Sequence, residues 1–209
     1  YRVITNGFDP DDFKDKTESL TPNEQLTIRY VGSLSETMIP QHFFAALSEL
    51  KKNDRDFRVE FVGNVHSEIQ ELIQQHELQK YVEISAYLPH QKAITKMRNA
   101  DILLVIIPDV DFNELILTGK LFDYMATQRP ILLLGPPQSD AAAIIDELNC
   151  GVTFSLDDKE GIYEFINRAI SDHPEPVVDM PALDLEEHPY SRITQTEKLS
   201  DIIKNLISE

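Results

Sequence analysis

The residues best suited to chemistry lie between positions 113 and 135. Residues 118–120, with the sequence Thr-Gly-Lys, stand just ahead of a helical pattern, and residues 131–134 form the short aliphatic run of a strand buried on both faces. Free backbone N–H groups and the positive end of a helix dipole meet at such a place and bind anions. Lys120 adds a full charge, and Asp123, one turn on, can accept hydrogen bonds from hydroxyl groups. The segment indicates an anion site, or else an ordinary helix–strand unit with a solvated Lys120–Asp123 pair.

The composition is that of an acidic globular chain. It has 209 residues, 42% of them hydrophobic, and a formal charge of −17 from 19 basic and 36 acidic side chains. Nucleic acid and anionic lipid both need a basic protein face, so the charge argues against either as a partner. A phosphate-bearing ligand needs a local cationic pocket set against this acidic field.

The sequence has few residues that could form a disulfide or a metal site. The single cysteine, Cys150, precludes an internal disulfide and is typical of a reducing compartment, so a cytoplasmic location is expected. No apolar stretch approaches the roughly 18–20 residues of a membrane span. Asp109 and Asp111 have the spacing of a metal-binding pair, but they fall in a predicted loop and are interpreted as solvated. No metal site and no cofactor are predicted.

From residue 26 onward, apolar runs alternate regularly with amphipathic segments. Strands are predicted at 26–34, 57–64, 81–88, 101–108, 131–134 and 151–156, and helices at 42–52, 67–78, 91–100, 139–149 and 159–170 besides the one that follows Lys120. This alternation is typical of right-handed βαβ crossovers. We therefore predict one Rossmann-like α/β domain over residues 26–172, with a doubly wound parallel sheet of six strands and helices on both faces.

The two ends of the chain do not follow this alternation of strands and helices. Residues 1–25 contain a brief apolar run, a turn at Asn6 and then polar sequence, and they are interpreted as a link between units. Residues 173–209 begin with a proline-rich stretch that indicates a semi-rigid crossing, followed by a helix over 190–207. The apolar stripe of that helix packs either on its own sheet or across to another unit.

In such a sheet the ligand lies beyond the carboxyl ends of the strands. Gly32 and Gly63 each end a predicted strand, so the backbone there can approach a ligand closely. Lys120 belongs to a later loop at the same edge. His90, which follows Pro89 at a predicted helix start, is better explained as a capping or stacking residue than as an acid–base catalyst.

Several motifs resemble a known family. The segment GKLFDYMATQRPIL resembles the K-[LI]-[FY]-E-Y-[LM]-A-x-G-x-P-[IV] segment of retaining GT-B glycosyltransferases of the family 4 (group 1) type. NGFD, YVGSL, FVGN and YLPHQKAITKMRNADILLV also resemble that family, so the likeness covers nearly the whole chain. The resemblance implies a C-terminal, donor-binding domain whose acceptor-binding N-terminal domain is missing from this sequence.

The resemblance also implies roles for individual residues. The diphosphate of a nucleotide sugar would be bound by Lys120 and the loop before it, and the ribose by Asp123. The implied site comprises Gly32, Ser33, Gly63, Tyr87, Leu88, His90, Leu117, Thr118, Gly119, Lys120 and Asp123. Tyr87, Leu88 and His90 would lie on the base side.

The chain departs from the family pattern at two places. No cation stands between Gly32 and His42, where family members usually carry two that neutralise the leaving diphosphate. In the usual E-x7-E pair, Asp123 replaces the second glutamate and Leu115 stands at the first, with Glu114 one residue off register. Lys120 and Glu114 are the catalytic candidates that remain.

Two functions of different classes follow. The resemblance implies a glycosyltransferase domain that binds a UDP- or GDP-linked sugar for retaining transfer to a glycan or lipid-linked acceptor, as in surface polysaccharide assembly, and that is inactive alone. The missing cations and the acidic composition favour the alternative, a non-catalytic interaction domain that retains the fold without a working donor site. An acidic signalling receiver is disfavoured because residues 31–33 supply no clustered acids.

Overall fold

The computed structural model describes residues 2–14, 22–181 and 183–208. Residues 15–21, part of the predicted link, lie outside the described residues. The strands are β1 (Leu26–Val31), β2 (Phe57–Val62), β3 (Val82–Ser85), β4 (Ile102–Ile106), β5 (Ile131–Leu134) and β6 (Gly151–Phe154). They form one parallel sheet of six strands in the order β3-β2-β1-β4-β5-β6, which confirms the predicted doubly wound architecture.

Helices follow the strands in alternation. They are α1 (Gln41–Lys52), α2 (Ser67–Gln75), α3 (His90–Arg98), α4 (Gly119–Ala126), α5 (Asp140–Leu148), α6 (Lys159–Asp172) and α7 (Arg192–Ser208). Short 3-10 helices occupy Pro10–Phe13, Glu36–Met38 and Asn113–Leu115. Each predicted helix and strand is present, although the strand predicted over 81–88 ends at Ser85 and leaves a longer loop before α3.

Strand β4 shows why the sequence carries uninterrupted apolar runs. Its side chains alternate between two cores, because successive residues of a strand point to opposite faces of the sheet. Ile102, Leu104 and Ile106 pack in the core on one face. Leu103 and Val105 pack in the core on the other. A strand covered on both faces has no polar side, which makes its sequence continuously hydrophobic.

One ion cluster lies within this apolar interior. Arg29 of β1 donates from Nε to Oε2 of Glu60 on β2 at 2.6 Å, and Lys96 of α3 donates to its Oε1 at 2.7 Å. Burial by itself would raise the pKa of Glu60, but the hydrogen bonds from Lys96 and Arg29 hold that pKa below its ordinary value. The cluster ties the two strands to the helix that covers them.

The two ends of the chain meet each other. Phe8 forms a parallel bridge with Ser191, and Arg192 donates its backbone N–H to Phe8 O at 2.8 Å. Beyond this junction α7 keeps much of its apolar stripe in solvent; its exposed members are Ile193, Leu199, Ile203, Leu206 and Ile207. No helix in the described ranges is long and apolar enough to cross a membrane.

Candidate functional site

The site is organised by the separation of β1 and β4 at the centre of the sheet. These strands pair only through Ile28–Ile102 and Arg29–Leu103 and then diverge toward their carboxyl ends. Tyr124 of α4 takes the vacated place, because its hydroxyl accepts from Val31 N at 2.8 Å and donates to Val31 O at 3.3 Å. Strand order changes direction here, and such a switch point opens the crevice in which doubly wound folds bind ligands.

Two glycines let the backbones approach closely beside that crevice. Gly32 and Gly63 follow β1 and β2 with φ of 133° and 132°, a region that favours glycine. A Cβ on Gly63 would lie 2.4 Å from Gly32 O, so a side chain at position 63 would clash with the backbone of Gly32. Ser33 is exposed, and its carbonyl accepts a 2.6 Å hydrogen bond from the Tyr30 hydroxyl. The close backbone approach that these glycines permit is therefore, in the first place, an approach of the Gly32 and Gly63 segments to each other.

Lys120 reaches across the crevice to the end of β1. Its Nζ lies 3.8 Å from the centre of the buried Tyr30 ring, and a Cβ on Gly32 would come within 2.8 Å of it. The ring face attracts the ammonium electrostatically. Burial lowers the pKa of Lys120 to about 8, although the charge of Asp123 opposes this shift. The ammonium thus lies at the carboxyl edge of the sheet as a partly desolvated charge.

Beside the ammonium, the amino end of α4 offers backbone donors. Thr118 is the N-cap, and its Oγ1 accepts from Lys120 N at 3.3 Å. Within the described residues the N–H groups of Thr118 and Gly119 make no hydrogen bond. The side-chain amide of Asn6 lies against Gly119, 3.4 Å from where a Cβ would stand. Lys120 and two N–H groups that have no partner among the described residues therefore lie together at the start of α4, as electropositive groups in an acidic protein.

Asp123 lies deeper in the same helix and has no hydrogen bond or ion pair within the described residues. Burial raises its pKa, an effect that the charges of His90 and Arg192 oppose. His90 begins α3 without capping it, and its Nε2 lies 3.0 Å from Oδ2 of Asp12. Asp123 keeps its acceptor capacity free, as a residue that binds hydroxyl groups must.

The other predicted site residues lie in the loops that precede α3 and α4. Tyr87 is exposed in the loop after β3, and Leu88 and Leu117 pack partly buried against one core. Glu114 is exposed on the 3-10 helix Asn113–Leu115 and has no side-chain partner within the described ranges. No group of three or more His, Cys, Asp or Glu among the described residues is arranged to hold a metal ion.

Sequence reasoning missed the two tyrosines that shape the crevice. In the sequence pattern, Tyr30 cannot be distinguished from the other apolar residues of β1, or Tyr124 from the other buried residues of α4. Their roles depend on where β1 and β4 separate, which no local pattern records. For Asn6 the sequence predicts only a turn.

Replacing Gly32 by alanine should damage both the fold and the site. The φ of 133° disfavours any side chain, so we expect a loss of about 1–3 kcal/mol in the free energy of unfolding. The new methyl would also displace the Lys120 ammonium. Gly119→Ala is the matched control, because its φ is ordinary and only Asn6 lies near. Urea unfolding of both variants measures the difference, and equal stabilities would contradict this account.

Comparison with known proteins connects this geometry to a fold family. The family model described as glycosyl transferases group 1 matches residues 11–106. The C-terminal domain of the glycosyl transferase group 1 family protein LpcC from Francisella tularensis superposes with a TM-score of 0.60 at 18% identity, over 79% of this chain and 89% of that one. The chain has the fold of the C-terminal domain of GT-B glycosyltransferases.

Longer solved structures align with this GT-B domain as well. Anabaena Alr3699/HepE in complex with UDP superposes with a TM-score of 0.76 at 13% identity, and its complex with UDP-glucose with 0.71 at 14%. Each alignment covers 98% of the GT-B domain and 57% of the Anabaena chain, so the sequence spans a little more than half the length of that protein. No curated protein sequence matches the domain.

Proposed function

We propose that the chain is the donor-binding half of a retaining glycosyltransferase and binds a UDP- or GDP-linked sugar. The observation that carries the proposal is the Lys120 ammonium, held beside Gly32, together with the Thr118 and Gly119 amides at the start of α4, which have no partner among the described residues. A diphosphate complements this group of donors, and Asp123 one turn away suits the ribose hydroxyls. The UDP and UDP-glucose complexes of the Anabaena protein support the same class of ligand.

The chemical role of the domain is electrostatic. In the transfer, the bond between the sugar and the diphosphate breaks, the sugar bonds to an acceptor hydroxyl, and the proton of that hydroxyl passes to the departing diphosphate. Negative charge grows on the leaving diphosphate, where Lys120 and the helix-end amides stabilise it. Glu114, on the loop that leads into α4, is the candidate for contact with the sugar.

The acceptor is expected to bind another domain. The sequence spans 57% of the Anabaena protein, and the exposed stripe of α7 leaves an apolar face for a neighbouring unit. We propose that the acceptor site lies on an N-terminal domain of a longer protein, with residues 2–14 and α7 at the junction. The acceptor would be a glycan or a lipid-linked acceptor, and the protein would act in the cytoplasm. The domain alone should bind nucleotide and transfer nothing.

Calorimetric titration with UDP, GDP and their sugars tests the donor site. With a pKa of about 8, Lys120 is mostly protonated at pH 7 and mostly deprotonated at pH 9.5. Binding should therefore weaken about tenfold between these pH values, and Lys120→Ala, which lacks the group, measures the part of the change that comes from ionisation of the nucleotide itself. Binding should also take up protons near pH 8, which shows as a dependence of the heat on the buffer. No heat with any nucleotide at millimolar concentration would refute the donor site.

One observation favours the alternative, an interaction domain without donor binding. A cavity of about 460 Å³ at the same edge of the sheet has four carboxylates among its lining residues, which are Glu36, Thr37, Ile39, Gln41, His42, Glu68, Asp109, Leu156 and Asp157. Four carboxylates there oppose the binding of a phosphate nearby. Lys120 contributes to nucleotide binding only if the donor site works, so the nucleotide affinity of a Lys120 variant distinguishes the two functions.

A further inference from the structure

Phe112 has an unusual conformation for a bulky residue. Its φ of 59° and ψ of 28° lie in the left-handed region, where the side chain crowds the backbone. The phenyl ring gains no burial in return, because Phe112 is 74% exposed. Asparagine or glycine would adopt this backbone at lower cost. A strained backbone that displays an aromatic ring to solvent is a feature that packing does not explain.

The loop that carries the ring is firmly held. Asp109 donates its N–H to Thr37 O at 2.8 Å, which joins the loops that follow β4 and β1. Asn113 donates from Nδ2 to Pro108 O at 3.1 Å, and Leu115 N donates to Phe112 O at 3.1 Å. The ring is therefore displayed on a braced support, so a ligand that contacts it has little loop entropy to overcome.

The neighbours of Phe112 combine apolar surface with one carboxylate. Val110 and Leu115 are also exposed, and Glu114 lies two residues along the same loop without a side-chain partner in the described ranges. The loop then runs directly into Thr118 and the amino end of α4. A pyranose ring has an apolar C–H face and a rim of hydroxyl groups. An aromatic face beside a carboxylate complements both.

We propose that Phe112 is a platform on which the sugar of the nucleotide-sugar donor stacks, with Glu114 accepting hydrogen bonds from its hydroxyls. The inference rests on the proposed function, which puts the diphosphate at Gly119 and Lys120. It adds a residue that recognises the sugar rather than the nucleotide. A ring that served only as packing surface for another domain would leave the affinity for the sugar unaffected.

The test separates sugar recognition from nucleotide recognition. Phe112→Asn removes the ring and suits the left-handed backbone, so the variant should unfold about 2–4 °C higher than the wild-type chain. Calorimetry with UDP and UDP-glucose, and with GDP and GDP-mannose, gives the affinity gained from the sugar. We expect nucleotide affinity within twofold of wild type and nucleotide-sugar affinity about fivefold to tenfold weaker. Phe112→Trp should retain the sugar's contribution.

Leu206→Asn is the matched control, because it removes an apolar side chain that is 68% exposed on α7. It should change neither affinity. If the wild-type chain binds nucleotide and Phe112→Asn leaves the sugar's contribution unchanged, the platform is refuted and the donor site stands. If the wild-type chain binds no nucleotide, the donor site is refuted and the platform with it.

Discussion

Replacing Lys120 by alanine is expected to weaken nucleoside-diphosphate binding about 10- to 100-fold, the range of a charge-assisted hydrogen bond to an anion. The loss should be large because the chain has no cation between Gly32 and His42 to replace it. The ammonium is also held in place by the Tyr30 ring, so little side-chain entropy is lost when the ligand binds. Isothermal calorimetry at pH 7 measures the effect.

The control must separate a local contact from the overall charge. Lys80→Ala removes the same charge from an exposed lysine just before β3, at the opposite edge of the sheet. It should change nucleotide affinity less than twofold, since exposed charges farther apart than a Debye length of about 8 Å are screened. Equal binding by the wild-type chain and Lys120→Ala would contradict the donor site and favour the interaction domain.

The fold could be predicted from the sequence because its signals are local. A parallel strand covered on both faces needs a continuous apolar run, and residues 101–108 supply one. Amphipathic segments of helical length between such runs indicate alternating strands and helices, and right-handed crossovers then favour a parallel sheet with helices on both faces. The family model and the superposed structures agree with that architecture.

The site was only partly predictable, because its contacts join distant parts of the chain. The sequence pattern predicts Lys120 and Asp123 at the start of a helix, and both lie in the first turns of α4. The hydroxyl of Tyr124, by contrast, hydrogen-bonds to Val31, which is 93 residues away in the sequence. This contact forms where β1 and β4 are no longer paired. The family resemblance implies a base-side role for His90, but its partner Asp12 lies 78 residues away on the short helix near the start of the chain. Such pairings depend on strand spacing and chain crossing, which the local sequence does not specify.

Glu60→Ala should destabilise the fold by about 3–5 kcal/mol, because it leaves Arg29 as an unpaired charge in the interior. Glu60 is 1% exposed, so water cannot replace the carboxylate. Glu83→Ala on the adjacent strand is the matched control, since its partner Arg58 and Glu83 itself are about half exposed and such pairs contribute about 0–1 kcal/mol. Urea denaturation at pH 7 gives both values, and similar losses would show that the ion cluster adds little.

The pH dependence identifies the carboxylate as the source of that stability. The folded-state pKa of Glu60 lies below its ordinary value of 4.5, so its contribution is complete at neutral pH, above the unfolded-state pKa. It is lost as the pH falls through 4.5 toward the folded-state pKa, where the folded protein also binds the proton. The difference in unfolding free energy between wild type and Glu60→Gln should therefore shrink below pH 4. A difference that stayed constant from pH 7 to pH 3 would assign the effect to packing instead of charge.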